Sequence, residues 1–367
     1  MLFRRHSDFY NKYKKLAQRS SLRTFTPIHS GTNQYLPRSF NELFKFDLSE
    51  IDELDDLHNP EGFILEAQRK AAKLFQVEQT FFSVNGASSC LMAACLALGD
   101  GGKVLVPMNA HKSLLAGLIL SGAEPVWYEP EWDARWGIYT RVEPEKIAEL
   151  IRRVDNIKAC FVTSPTYEGF QTKLGAIVDI CHEHEIPVIV DESHGSHISL
   201  MGNGKGAIDA CADLIIHSPH KALGALTQTG MLHFQSELLN AKKIEACMSL
   251  LQTTSPSFIL LLSLIETLEH LRQDLEPLRK QKDSALELRY QLSKIGGIEF
   301  LNNDDPTRLV FSLAGWGGEE LSQWILENYF IETELEGNRW VMFLIGLGTK
   351  HHQIRSLKRA IQSARLI

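Results

Sequence analysis

Val188-Ile189-Val190-Asp191-Glu192-Ser193-His194-Gly195-Ser196-His197 opens on an unbroken apolar run and ends in a cluster of polar groups. Leu214-Ile215-Ile216-His217-Ser218-Pro219-His220-Lys221 repeats the pattern further along. Apolar runs without polar alternation are how parallel strands covered on both faces read. In an open α/β sheet, ligands collect beyond the carboxyl ends of the strands. The first run delivers Asp191, and the second delivers Ser218, His220 and Lys221. Both sets therefore reach the same side of one sheet.

Working outward, β-type runs recur at 79–84, 103–106, 124–128, 158–163, 187–190, 213–217 and 229–234. Helical periodicity fills most of the gaps, at 88–98, 111–121, 143–153 and 173–184. This alternation predicts βαβ units and an α/β fold with a mostly parallel sheet. Upstream, Phe9, Tyr13 and Leu16 at helical spacing predict an arm over 3–19. An irregular stretch from Pro27 to Pro37 follows, then an acidic segment through Asp56 and a helix from about Pro60. Beyond residue 236 a long helical region runs to Ile295. Strand-like runs follow at 298–301, 308–313, 329–335 and 339–345, and a helix over 350–364 closes the chain. The boundaries this gives are 1–59 for the arm and segment, 60–250 for the large ligand-binding domain, and 251–367 for linking helices and a smaller α+β domain.

Composition narrows the function. The net charge is −7 and the basic residues are scattered, so no nucleic-acid surface is expected. Six cysteines form no CxxC pair and read as reduced core residues of a cytoplasmic protein. Met1 to His6 run straight into a charged helical pattern, without a signal-peptide core, and no apolar run is long enough to span a bilayer. His182-Glu183-His184-Glu185 falls at a helix end, where cationic side chains are favoured, and reads as solvated; no metal is expected. Gly202-Asn203-Gly204-Lys205-Gly206 lacks P-loop spacing and reads as a flexible loop. The stripe from Ile259 to Leu271 reads as core or dimer packing.

A carboxylate and a lysine at neighbouring strand ends suit pyridoxal 5′-phosphate (PLP). The lysine forms an imine with it, and the carboxylate keeps the pyridine nitrogen protonated so that the ring accepts electrons. An ordinary strand-end Asp and a turn Lys would look the same. Asn85-Gly86-Ala87-Ser88-Ser89 opens a helix directly after a strand, and a helix N-terminus favours a phosphate. Alone, the same residues also read as a plain N-cap by Ser88 or Asn85. His111-Lys112-Ser113 stands at the next strand-to-helix junction, where an imidazole would stack on a flat ring or lie on the surface.

Taken together these sites resemble the ornithine/lysine/arginine decarboxylase family of PLP enzymes, which has the aspartate-aminotransferase-like fold. Ser218-Pro219-His220-Lys221, with Ala222-Leu223 and Leu226-Thr227-Gln228 after it, is similar to the family's Ser-Thr-His-Lys segment. Asp191 to His194 is similar to its Asp-x-Ala-His, and His111-Lys112-Ser113 to its His-Lys-Ser. Leu54-Asp55-Asp56-Leu57-His58, Pro165-Thr166-Tyr167-Glu168-Gly169 and Thr254-Ser255-Pro256-Ser257 also look like family signatures. The resemblance implies that Lys221 carries PLP and Asp191 partners its ring nitrogen. It implies that His111 stacks on the ring, that the Ala87 amide, Ser88, Ser218 and His220 hold the phosphate, and that His194 lies in the catalytic pocket. It also implies a homodimer in which the Ser255 loop reaches the neighbouring site. The chain departs from the family at Pro27-Ile28-His29-Ser30, Ser193 and Pro219, and it is expected to lack a further C-terminal domain.

By that resemblance, the leading expectation is an α-decarboxylase of a basic amino acid, giving an amine of the polyamine type and CO₂. His194 or Lys221 would return the proton to Cα. An aminotransferase or lyase would instead want a cation gripping the substrate carboxylate. Arg308 is a candidate for that, against a plainer reading as an exposed strand-edge arginine. A non-catalytic shortened paralogue is the third expectation. Glu332-Thr333-Glu334-Leu335 resembles the family's Glu-rich segment, so Glu334 is a candidate partner for the substrate's distal cation, or else part of a solvated loop. Nothing in the sequence chooses among lysine, arginine and ornithine.

Overall fold

The computed structural model describes residues 6–19, 23–32, 34–51, 53–99, 101–201 and 206–367. The beginning of the arm at 3–5 and most of the loop at 202–206 lie outside the described residues. Helices α1 (Asp8–Ala17), α2 (Asn41–Phe46) and α3 (Phe63–Phe75) come first. Then strands β1 (Gln79–Ser83), β2 (Lys103–Pro107) and β3 (Glu124–Tyr128) alternate with α4 (Gly86–Ala97) and α5 (Lys112–Ser121). A small hairpin, β4 (Trp132–Asp133) and β5 (Ile138–Tyr139), precedes α6 (Pro144–Arg153). Next come β6 (Ile157–Thr163), α7 (Leu174–His182), β7 (Val188–Asp191), β8 (Leu214–His217), the short α8 (Pro219–Ala222) and β9 (Gly230–Phe234).

Seven of these strands form one sheet in the order β1-β9-β8-β7-β6-β2-β3. Strands β8, β7, β6, β2 and β3 pair in parallel, and only β9 runs against its two neighbours. The α/β class and mostly parallel sheet match the expectation. Period-two alternation sorts the side chains between two cores. Val188, Val190 and Ile215 join the core under α1, α3 and α7, whereas Ile189, Leu214 and Ile216 join the core under α4 and α5. Burying one such Val or Ile fully stabilises the fold by about 1.5–3 kcal/mol.

Helices α9 (Ala241–Leu251), α10 (Phe258–Gln273) and α11 (Glu276–Ser293) lead to a second sheet. It contains β10 (Ile298–Phe300), β11 (Arg308–Leu313), β12 (Leu335–Glu336) and β13 (Val341–Leu344), in the order β10-β11-β13-β12, with α12 (Gly318–Tyr329) and α13 (His351–Ala364). Side chains from α11, α12 and α13 close a separate core over β11 and β13.

Two boundaries and one exposure differ from the sequence reading. The strand expected over 329–335 begins only at Leu335, because α12 runs to Tyr329 with Leu321 and Ile325 buried on one face, and Phe330 ends it in a left-handed conformation. The helix expected from Pro60 starts at Phe63 instead, since the Asp55 carboxylate accepts from the Gly62 and Ile64 amides at 2.9 and 2.8 Å and fixes the first turn there. Arg308 is no exposed edge residue. It opens the inner strand β11 and is 2% exposed.

Candidate active site

Strand β7 ends on Asp191 and β8 runs into Ser218, and Asp191 stands opposite Ile216 in the ladder. Both polar residues line a cleft of about 890 Å³ at the carboxyl edge of the large sheet. Ala87, Ser88, His111, His194, His220 and Lys221 line the same cleft. Eight of the nine residues singled out from the sequence therefore converge on one cavity. Glu334, the ninth, is not in the lining of the described cleft and reaches it through Tyr167.

At the floor, α4 begins without any side-chain cap, because Asn85 accepts instead from the Thr253 amide at 3.3 Å. A simple N-cap by Asn85 or Ser88 is therefore not what these residues make. Gly86, at φ +76°, needs the left-handed region that glycine tolerates. Gly230 on β9 lets this turn come close: a Cβ there would lie 2.6 Å from the Gly86 carbonyl carbon and 2.8 Å from the Ala87 nitrogen. The first turn of α4 thus offers the cleft its amides and the positive end of a helix dipole, a setting suited to phosphate.

Lys221 projects from α8 with its Nζ 3.0 Å from His194 Nε2. Burial lowers the lysine's pKa and Arg308 adds to this, while Asp191 and Glu334 pull it back up. Burial, with Arg308 and Lys221 nearby, pushes His194 down to about 2, so its ring is neutral near pH 7. His111 caps α5, its Nδ1 accepting from the Ser113 amide at 3.2 Å, which fixes the ring's direction. Burial lowers His111 and His220, and His220 Nδ1 donates to the Thr229 carbonyl at 3.2 Å.

The far wall holds Tyr167, read from the sequence only as part of a signature, together with the candidates Glu334 and Arg308. The Tyr167 ring lies 4.4 Å from the His194 ring, and its hydroxyl donates to Glu334 Oε1 at 2.5 Å. Burial and that carboxylate push the Tyr167 hydroxyl up to about 12. Arg308 donates to the His194 carbonyl at 3.2 Å, with its Nε 3.6 Å from Asp305. Asp305 in turn lies 3.4 Å from His197 Nε2, and despite burial its carboxyl is held well below the usual range by His197 and Arg308. Arg308 Nη1 is buried without a hydrogen-bond partner. Position in a strand is no signal for such a role, because it depends on where the second sheet docks.

His182 pairs with Asp213 at 2.8 Å, and among the described residues no group of three or more His, Cys, Asp or Glu is gathered for a metal. Nor is any described helix long and apolar enough to cross a membrane. The Ser255 amide donates to Thr253 Oγ1, which places that loop beside Asn85 of its own chain.

A parallel-sheet α/β protein with a lysine, a carboxylate and an open helix end in one cleft belongs to the class that binds phosphorylated cofactors. The comparisons place it more closely. The family model described as Orn/Lys/Arg decarboxylase, major domain, matches residues 8–310. The chain is 36% identical to an arginine decarboxylase of Bacillus cereus over 86% of its own length and 72% of the relative's. It is 33% identical to an arginine decarboxylase of Bacillus subtilis, over 90% and 71%. Lysine decarboxylase A from Pseudomonas aeruginosa superposes with a TM-score of 0.85 at 20% identity, over 98% of this chain and 59% of that one. At that identity the likeness concerns the fold, and the chain spans under two thirds of that protein. This chain belongs to the Orn/Lys/Arg decarboxylase family.

Proposed function

We propose that this chain is a PLP-dependent α-decarboxylase of a basic amino acid, releasing CO₂ and the amine. Arginine is the first substrate to test, because the relatives at 33–36% identity carry that name. One observation carries the reading: Lys221 and Asp191, from adjacent strand ends, share a cleft with the uncapped N-terminus of α4. The residues fit the cofactor. Lys221 would hold it covalently, Asp191 would partner its ring nitrogen and His111 would cover its ring. The Ala87 amide, Ser88, Ser218 and His220 would hold the phosphate.

When bound, PLP supplies a sink for the electron pair left at Cα as CO₂ departs. The remaining tasks fall to the protein. The lysine's lowered pKa favours a neutral amine able to act as nucleophile. Afterwards, protonated Lys221 is the better donor to Cα, because burial keeps the His194 ring neutral. Tyr167 backs the His194 ring and ties Glu334 to the edge of the cleft. Glu334 offers a carboxylate to the substrate's distal cation, and because it is exposed such a pair is worth about 1 kcal/mol or less.

A second reading has one observation in its favour. The unpartnered Nη1 of buried Arg308 could grip a carboxylate that is kept rather than lost, as an aminotransferase or lyase requires. Exposed Leu115, Ile119 and Leu120 on α5 support a homodimer. Six unpaired cysteines suit a reducing compartment such as the cytoplasm. The test is to supply PLP with arginine, lysine or ornithine and measure CO₂ and amine together. Equimolar CO₂ and amine, absent in Lys221→Ala, is the expected result. A keto acid without CO₂ would favour the second reading.

A further inference from the structure

Alternation along β7 and β8 turns Asp191 and Ser218 toward the cleft side and sends their neighbours Glu192 and His217 to the opposite face. Four polar side chains meet there, one from each of four successive strand positions in the large sheet. Glu192 Oε2 lies 2.7 Å from His217 Nε2, and His217 Nδ1 lies 3.0 Å from His233 Nε2. His233 Nδ1 lies 2.8 Å from Thr80 Oγ1, its direct partner across the β1–β9 ladder. Both histidines are 0% exposed, Glu192 is 1% exposed, and Phe75 of α3 packs against both imidazole rings. The other carboxyl oxygen, Oε1, accepts from the Ala207 amide at 2.9 Å.

Every link in this chain is satisfied in either of two directions. If Glu192 is ionised, hydrogens point toward it: both histidines carry hydrogen on Nε2, and Thr80 donates. If Glu192 is the neutral acid, hydrogens point away: its hydroxyl donates to His217, both histidines carry hydrogen on Nδ1, and Thr80 accepts. The surroundings decide between them. Among the described residues no lysine or arginine lies within ion-pair distance of Glu192; its near charged or titratable neighbours are His217, His197 and Asp209. A buried carboxylate without a cation costs several kcal/mol, whereas the neutral acid costs no charge desolvation. Burial accordingly raises Glu192 to about 8 and lowers His217 to about 3.

We propose that Glu192 is held as the neutral acid at the head of a one-way hydrogen-bond chain through His217 and His233 to Thr80. The chain is a positioning device. It ties the strand ends that carry Asp191 and Ser218 together from behind, without adding a second carboxylate charge beside Asp191. The packing leaves little play, since a Cβ on Gly195 would come within 2.7 Å of Glu192 Cγ and 2.6 Å of Pro165 Cδ. The consequence for cofactor uptake rests on the function proposed above, but the direction of the chain does not.

The experiment is ¹⁵N-imidazole NMR on the full chain, with and without added PLP, assigning His217 and His233 by single substitution. The expected result is an Nδ1–H tautomer for both rings from pH 6 to 7.5. Nε2–H tautomers, or an imidazolium at His217, would overturn the proposal. Glu192→Gln keeps the same polarity, because its amide donates to His217 and its carbonyl accepts from Ala207. It should preserve both tautomers and bind PLP within threefold of the parent, while Glu192→Ala loses PLP affinity at least tenfold. A Gln variant as impaired as the Ala variant would show that the carboxylate charge is what matters and would end the idea. If Glu192 behaves as expected while no amino acid is decarboxylated, the device stands and the proposed reaction falls.

Discussion

Lys221 Nζ and His194 Nε2 lie 3.0 Å apart, and burial lowers the pKa of both groups. Burial pushes His194 down to about 2, so the ring is neutral near pH 7 and its titration is not expected to shape the pH–rate profile there. His194→Ala is expected to lower kcat by about 10²-fold, within the usual range for a group that orients a proton donor. The acid limb of the profile should keep its midpoint. A limb that vanishes with His194 would show that this ring titrates during turnover.

Asp191 lines the cleft at the end of β7 and accepts from the Ser193 amide at 3.1 Å, so Asn in its place keeps much of the local geometry. Asp191→Asn should still take up PLP, while turnover falls by orders of magnitude because the charge opposite the ring nitrogen is gone. Near-normal turnover, measured at saturating PLP, would mean that another residue partners the nitrogen.

Glu334 and Tyr167 share the 2.5 Å hydrogen bond at the cleft's outer wall. Glu334→Gln is expected to raise KM for the basic substrate more than it lowers kcat, the pattern of lost uniform binding. Tyr167→Phe should move KM in the same direction but less, since it frees the carboxylate without removing it. Equal use of lysine and norleucine by the parent enzyme would remove the acidic subsite altogether.

Glu192 makes a pH-dependent contribution to stability of predictable sign. Its folded pKa, about 8, lies above the ordinary 4.5, so folding takes up a proton between those values. That contribution is full below about pH 4.5 and is lost as pH rises through 8, on the order of 1 kcal/mol per pH unit across the window. His194 and His217, lowered to about 2 and about 3, act oppositely and destabilise the fold as pH falls below 6.5. Urea melts of the parent and Glu192→Gln should therefore differ in slope between pH 6.5 and 8, with the parent losing more stability. Parallel curves would place the Glu192 pKa near its ordinary value.

Most of the large sheet was legible because its strands are apolar throughout and end in polar clusters. Val188–Asp191 and Leu214–His217 lie where the runs were read. The convergence of Asp191, His194, Ser218 and Lys221 followed from the rule that strand carboxyl ends share one side. Arg308 was legible as a candidate cation, but its burial was not, because that comes from β11 sitting inside the second sheet and meeting the His194 loop, a contact across more than a hundred residues. Glu192 and His217 were hidden differently. Each sits one residue from a site residue, so only the side-chain alternation of a placed strand shows that they face away and meet each other. The 329–335 segment failed because Tyr329-Phe330-Ile331 reads as a β-type run when taken apart from the Leu321 and Ile325 face that makes it the end of a helix.

The central claim is that Lys221 is the residue that carries the cofactor. The purified chain, incubated with PLP and reduced with borohydride, should lose its visible absorption band. It should then carry one pyridoxyl group per chain on the peptide containing Lys221, and Lys221→Ala should carry none. A colourless protein that takes up no PLP, or a label found on another lysine with Lys221 unmodified, would contradict the account.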